Sequence, residues 1–230
     1  MLIEVIGVSL DDVIQANAGE ADRIELCQSI VEDGLTPSYG LIKSALHIST
    51  IPIHVMVRPH NKSFIYSEHD VKQMVEDINM IRQLGADGVV FGALTTEGEI
   101  DEVVLEKLLE AAGSLDVTFH RAFDLVEDQQ QALDNLLQYE KITTLLTSGG
   151  GRSALDYTNT LANLIERTKD THLTIMPGGG LRVEDAGAFQ EKTQANALHF
   201  GSGVRIDSDY EEAVSASQIK RVRTEIAGIV

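Results

Sequence analysis

Asp116-Val-Thr-Phe-His-Arg-Ala-Phe-Asp124 is a β-branched and aromatic run that ends abruptly in His120, Arg121 and Asp124. Such a run reads as a buried strand with chemistry at its tip, and in parallel sheets ligands bind outside the carboxyl ends of the strands. Two readings stand for this stretch by itself: His120 is a core histidine satisfied by a neighbouring carboxylate, or it belongs to a site. The rest of the chain bears on the choice, because several other strands end in the same way.

Working outward, short β-rich runs alternate with helical patterns. Strands are expected over Leu2–Val8, Arg23–Cys27, Ile53–Arg58, Gly88–Gly92, Val117–His120, Thr144–Ser148, Thr174–Met176 and Ala197–Gly201. Between Ser67 and Leu84, Val71, Met74, Val75, Ile78 and Ile81 recur with helical period, and Ser67 and Asp70 are spaced as a capping box. Asp101–Ala112, stopped by Gly113, and Asp128–Leu137 read the same way. Weaker helical patterns cover Leu10–Ala18, Ser38–Leu46, Ser153–Arg167, Val183–Glu191 and Ala216–Ile226. Eight strand–helix pairs with no linker predict one closed (β/α)₈ TIM barrel, a single domain over residues 1–230. The length of 230 residues suits that fold, which takes ~250.

Strand alternation says which side chains enter the barrel. The face packed on helices should be aliphatic, which assigns Ile24, Leu26, Ile53, Val55, Val57, Val117, Phe119, Leu198 and Phe200 to the outside. Glu4, Arg23, Glu25, Cys27, His54, Met56, Arg58, Thr118, His120 and His199 are left for the lumen. A purely structural barrel stacks Val, Ile and Leu there. Unpaired buried charge costs several kcal/mol, so these residues pair with one another or meet a ligand.

Composition narrows the function classes. An apolar fraction of 43% is ample for a core, and no uninterrupted apolar run approaches a membrane span. A net charge of −18 repels phosphate backbones and argues against nucleic acid as a partner. The single cysteine, Cys27, excludes an internal disulfide and fits a reducing compartment, and Met1-Leu-Ile-Glu-Val-Ile-Gly7 does not read as an export leader, so a cytoplasmic location is expected.

Among the lumen residues, His120 is the expected acid–base group, with Asp124 as its orienting partner and Glu25 as a second acid or base. Arg58 or Arg121 would hold a carboxylate or phosphate, unless each is a barrel-rim salt bridge. The glycine runs Thr147-Ser-Gly-Gly-Gly151 and Met176-Pro-Gly-Gly-Gly180 follow the sixth and seventh strands, and Gly201-Ser-Gly203 follows the eighth. Loops at these places either expose amides to an anion or simply permit tight turns. Ser148, Gly178, Gly179, Gly180, His199 and Ser202 are therefore ligand-binding candidates beside the arginines.

The motifs Ala21-Asp-Arg-Ile-Glu-Leu-Cys27, Gly34-Leu-Thr-Pro-Ser38, Val55-Met-Val-Arg-Pro59, Gly85-Ala-Asp-Gly-Val-Val-Phe-Gly92, Thr118-Phe-His-Arg-Ala-Phe-Asp124, Leu146-Thr-Ser-Gly149 and Met176-Pro-Gly-Gly-Gly180 resemble the CutC family from Met1 to about Gly203. The resemblance implies a cytoplasmic, often oligomeric (β/α)₈ barrel, dimeric as the simplest case, with a role in copper homeostasis. Val204-Arg-Ile-Asp-Ser-Asp-Tyr210 departs from the family pattern, and residues 204–230 read as a divergent C-terminal segment of the same domain. Two function classes follow. In one, Cys27 and Met56, with Met176, His120 and His199, capture copper, since Cu(I) prefers soft donors. In the other, the mouth binds a small phosphorylated or carboxylated metabolite and His120 and Glu25 move protons.

Overall fold

The computed structural model describes residues 1–228; Ile229 and Val230 lie outside the described residues. Eight strands alternate with eight α-helices: β1 Leu2–Gly7, α1 Leu10–Ala18, β2 Arg23–Leu26, α2 Tyr39–Ile48, β3 Ile53–Met56, α3 Glu68–Leu84, β4 Gly88–Phe91, α4 Glu102–Ala112, β5 Asp116–Phe119, α5 Gln129–Leu136, β6 Ile142–Thr147, α6 Thr158–Thr168, β7 Thr174–Pro177, α7 Ala186–Thr193, β8 Ala197–Phe200 and α8 Ala216–Ala227. All neighbouring pairs are parallel, in the order β7-β6-β5-β4-β3-β2-β1-β8, and a parallel bridge between Gly178 and His199 closes the ring. The expected (β/α)₈ barrel is therefore the observed fold.

The helices form where their punctuation says they should. Ser67 and Asp70 complete the capping box of α3, each accepting the other's backbone N–H, and Gly85 ends that helix at φ 83°. Val71, Met74, Ile78 and Ile81 turn inward from α3 onto the sheet. There they meet the outer faces of the strands, where Ile24, Ile53, Val55, Val89, Phe91, Val117 and Phe119 are all fully buried. Each such side chain contributes about 1.5–3 kcal/mol on burial. Two helices start later than their patterns predict, because 3₁₀ turns at Ala154–Tyr157 and Val183–Asp185 precede α6 and α7.

Inside the barrel, the register stacks the polar residues against one another. Glu4 pairs with both Arg23 and His199, and Glu25 pairs with His54. A register shift between Val117 and Thr118 leaves Thr143 unpaired, so Ile142 faces the helices while Thr144 and Leu146 face the lumen.

Candidate active site at the barrel mouth

A cavity of about 630 Å³ opens at the carboxyl ends of the strands. Glu25, His120, Arg121, Asp124, Gly179, Gly180, His199 and Ser202 line it, together with Met56. Arg58, Cys27, Ser148 and Gly178 do not line it.

Beneath the cavity lies an ionic floor. The Arg23 guanidinium donates to Glu4 at 2.5 Å, and His199 Nδ1 meets the other Glu4 oxygen at 2.7 Å. Burial alone would raise the Glu4 carboxyl, but Arg23 and His199 outweigh it and hold the group at about 2. Burial opposes the charged form of His199 as well, yet the hydrogen bond to Glu4 and the nearby Glu25 carboxylate raise its pKa. Glu25 makes no hydrogen bond to a guanidinium among the described residues. Burial pushes it up to about 7, with His199 pulling down, Glu4 pushing up and the Arg23 charge also lowering it from further off. Its Oε2 is buried without a hydrogen-bond partner among the described residues.

His120 crosses from the end of β5 to the cavity wall. A side chain at Gly92 would strike its ring, since a Cβ there would lie 2.7 Å from His120 Nδ1. Phe64 packs on the ring with centroids 4.7 Å apart. Burial and the Arg58 charge depress its pKa to about 3, so the imidazole is neutral. The Ala122 amide donates to Nδ1 at 3.3 Å, which leaves the proton on Nε2. That Nε2 is also buried without a partner among the described residues.

Asp124, expected to orient His120, instead organises a corner of hydrogen bonds around Arg121 and Ser148. It accepts from Arg121 Nε at 2.8 Å, from the Thr147 hydroxyl at 2.5 Å and from the Ser148 amide at 3.0 Å. Arg121 Nη2 donates to the Gly151 carbonyl at 2.6 Å and to Ser148 Oγ at 3.1 Å. The guanidinium is thereby fixed beside Gly179, whose Cβ position would lie 3.5 Å from Arg121 Cζ. Ser148 thus acts on the corner from behind the cavity wall. Gly178 is committed to the sheet, its N–H donating to the Thr147 carbonyl at 3.0 Å.

Arg58 is committed elsewhere. It lies past the end of β3, where strand alternation no longer sets direction, and Nη1 donates to the Glu32 and Gly34 carbonyls at 2.7 and 3.2 Å. The Phe64 ring covers its guanidinium at 4.6 Å. It holds the loop after β2 in place. Sequence reasoning also missed Phe64, Arg152, Leu181 and Tyr210, all of which line the cavity from loops. The signal for Arg152 was its place directly after Thr147-Ser-Gly-Gly-Gly151.

Cu(I) fits these donors poorly. Cys27 is fully buried, and burial together with the Glu25 charge pushes its thiol well up, away from the thiolate that Cu(I) binds. Glu4, Glu25 and His199 each offer a ligand atom within 4.8 Å of one another, but they include no sulfur, the donor that Cu(I) prefers, and Arg23 already neutralises Glu4.

The CutC family model matches residues 1–204. A CutC family protein of Mesorhizobium japonicum is 42% identical over 201 residues, 87% of this chain and 77% of that protein. The human copper homeostasis protein cutC homolog is 39% identical over 209 residues, covering 90% of this chain and 75% of its own. The crystal structure of a CutC protein from Streptococcus agalactiae superposes with a TM-score of 0.81 at 32% identity, over 87% of this chain and 98% of that one. Phosphoribosyl anthranilate isomerase from Thermococcus kodakaraensis, with a TM-score of 0.64 and 15% identity over 98% of both chains, shares the fold alone.

Proposed function

Because the chain belongs to the CutC family, we propose that it serves copper homeostasis, the role in its human relative's name, through small-molecule chemistry at the barrel mouth rather than by carrying the metal. The ligand carries a carboxylate or phosphate. The observation behind this reading is the pair of buried atoms without partners among the described residues, Glu25 Oε2 and His120 Nε2, on residues that line one cavity with Arg121. Buried polar groups without partners are costly, and a ligand that satisfies both offsets that cost.

Roles follow from protonation. Glu25, titrating near 7, can give or take a proton at neutral pH, where general acid–base catalysis is most effective. His199, held by Glu4, supplies a positive neighbour that stabilises the Glu25 carboxylate once the proton has left. His120, neutral with its proton on Nε2, donates a hydrogen bond to an oxygen on which charge develops. Arg121 and the Gly179–Gly180 turn seat the anionic group. A cytoplasmic setting accords with the single buried thiol.

Calorimetry with inorganic phosphate tests the reading. Arg121→Ala should weaken binding roughly tenfold, the low end for a charge-assisted hydrogen bond because the side chain is partly exposed. Arg58→Ala should leave phosphate affinity within about twofold, since its donors face loop carbonyls. A parent protein that binds neither phosphate nor small carboxylates would remove the proposal. One observation favours direct copper binding instead: Cys27 Sγ and Met56 Cε each lie 3.5 Å from the Cβ position of Gly34, so two sulfur side chains meet there.

A further inference from the structure

Beyond Val204, where the family match stops, the chain folds back over the mouth. Arg205 anchors this strap from a site 2% exposed. Its Nη2 donates to Asp12 Oδ2 at 2.8 Å and to the Ile6 carbonyl at 3.3 Å, and its Nη1 donates to the Glu212 carbonyl at 2.7 Å. The Ile206 amide bonds the Ala213 carbonyl at 3.1 Å and the Ser215 amide bonds that of Val204 at 2.9 Å, joining the two limbs. Asp207 and Ser208, at φ 53° and 57°, make the reversal between them.

That reversal returns Tyr210 to the cavity. Its ring lies 5.4 Å from the Arg205 guanidinium. Its hydroxyl rests on Gly201, where a Cβ would come within 2.0 Å of Oη, so only glycine admits the phenol. Tyr210, Gly201 and Ser202 all line the same wall. In a (β/α)₈ barrel, the backbone after the eighth strand is a natural seat for phosphate. Here a phenol covers it.

We propose that Tyr210 is a specificity-determining residue of the mouth, closing the Gly201–Ser202 turn to anions and leaving the Arg121–Gly179–Gly180 corner as the one anion seat. The inference rests on the anion-pocket reading given above. It narrows the ligand to molecules with a single anionic group, whose other end offers an uncharged hydroxyl or amide to the phenol. Metabolites with phosphates at both ends are excluded because the second seat is taken.

The test counts bound inorganic phosphate by calorimetry, with phosphate-soaked crystals locating each ion. The parent should bind one, at Arg121; Tyr210→Ser and Tyr210→Ala should bind two, the second at Gly201–Ser202. Tyr210→Phe keeps the covering ring and should still bind one, which also separates masking from general loosening of the strap. Two phosphates on the parent, or one on both small variants, would overturn the proposal. If the parent binds none while Tyr210→Ser binds one at Gly201–Ser202, the masking stands and the Arg121 seat fails; if neither binds, both fail.

Discussion

At the floor of the lumen every charge has an answer: Arg23 meets Glu4 at 2.5 Å and Glu4 meets His199 at 2.7 Å. At the mouth, two residues further along β2 than Arg23, Glu25 keeps a buried oxygen and His120 a buried N–H, both unmatched among the described residues. The same residue types, equally buried, are thus pushed in opposite directions, Glu4 down to about 2 and Glu25 up to about 7. The difference lies in whether a guanidinium stands against the carboxylate. A paired buried carboxylate is a structural ion; an unpaired one is a reservoir for a proton.

The sharpest way to break this contrast is to remove the floor's cation. Arg23→Ala strands Glu4 in a dry interior and should cost about 3–5 kcal/mol of unfolding free energy in urea titrations. A loss below about 1 kcal/mol would mean that the floor is wet or that Glu4 simply takes up a proton.

At Glu25 the expected effect is smaller and its sign depends on pH. Its folded pKa of about 7 exceeds the ordinary glutamate value of 4.5, so the folded state holds the proton more tightly than the unfolded chain. The stabilisation is complete below pH 4.5 and is lost as pH rises to 7, about 3 kcal/mol in all. Glu25→Gln should flatten that limb of the stability–pH curve; if the slope between these pH values persists in the variant, the raised pKa belongs to another group.

The smallest effect concerns the two sulfur side chains, Cys27 and Met56, that meet beside Gly34. Cys27→Ala should change Cu(I) affinity by no more than about twofold in a competition titration, because a buried, protonated thiol is a poor ligand. A tenfold or larger loss would restore direct copper binding.

How much of this was legible in the sequence follows from where strand alternation applies. Within β2, β3, β5 and β8 it placed Glu25, Met56, Thr118 and His199 in the lumen, since sheet geometry forces successive side chains to opposite faces. Beyond the strands its hold was uneven, since His120, one residue past β5, does line the cavity. Arg58 was read inward by parity, yet the backbone has left the sheet by then and the guanidinium turns to loop carbonyls. Asp124 was matched to His120 by nearness in sequence, whereas the 3₁₀ turn over Arg121–Leu125 swings it to Arg121, Thr147 and Ser148. Tyr210 comes to the mouth on a strap anchored by the Asp12–Arg205 ion pair, a contact between distant parts of the chain that no local pattern encodes.

The ring closes unevenly: β8 takes four register partners from β1, but only the Gly178–His199 bridge from β7. During synthesis, then, the ribosome must deliver the eighth strand before the first can finish its pairing. Until that moment Glu4 lacks its imidazole, and a seven-stranded nascent chain is left with an open edge beside a half-neutralised charge. Such a chain has no comfortable resting state. Completing the fold and completing the ionic floor are one event, so premature termination before Ala197 should yield material for proteolysis and not a stable barrel.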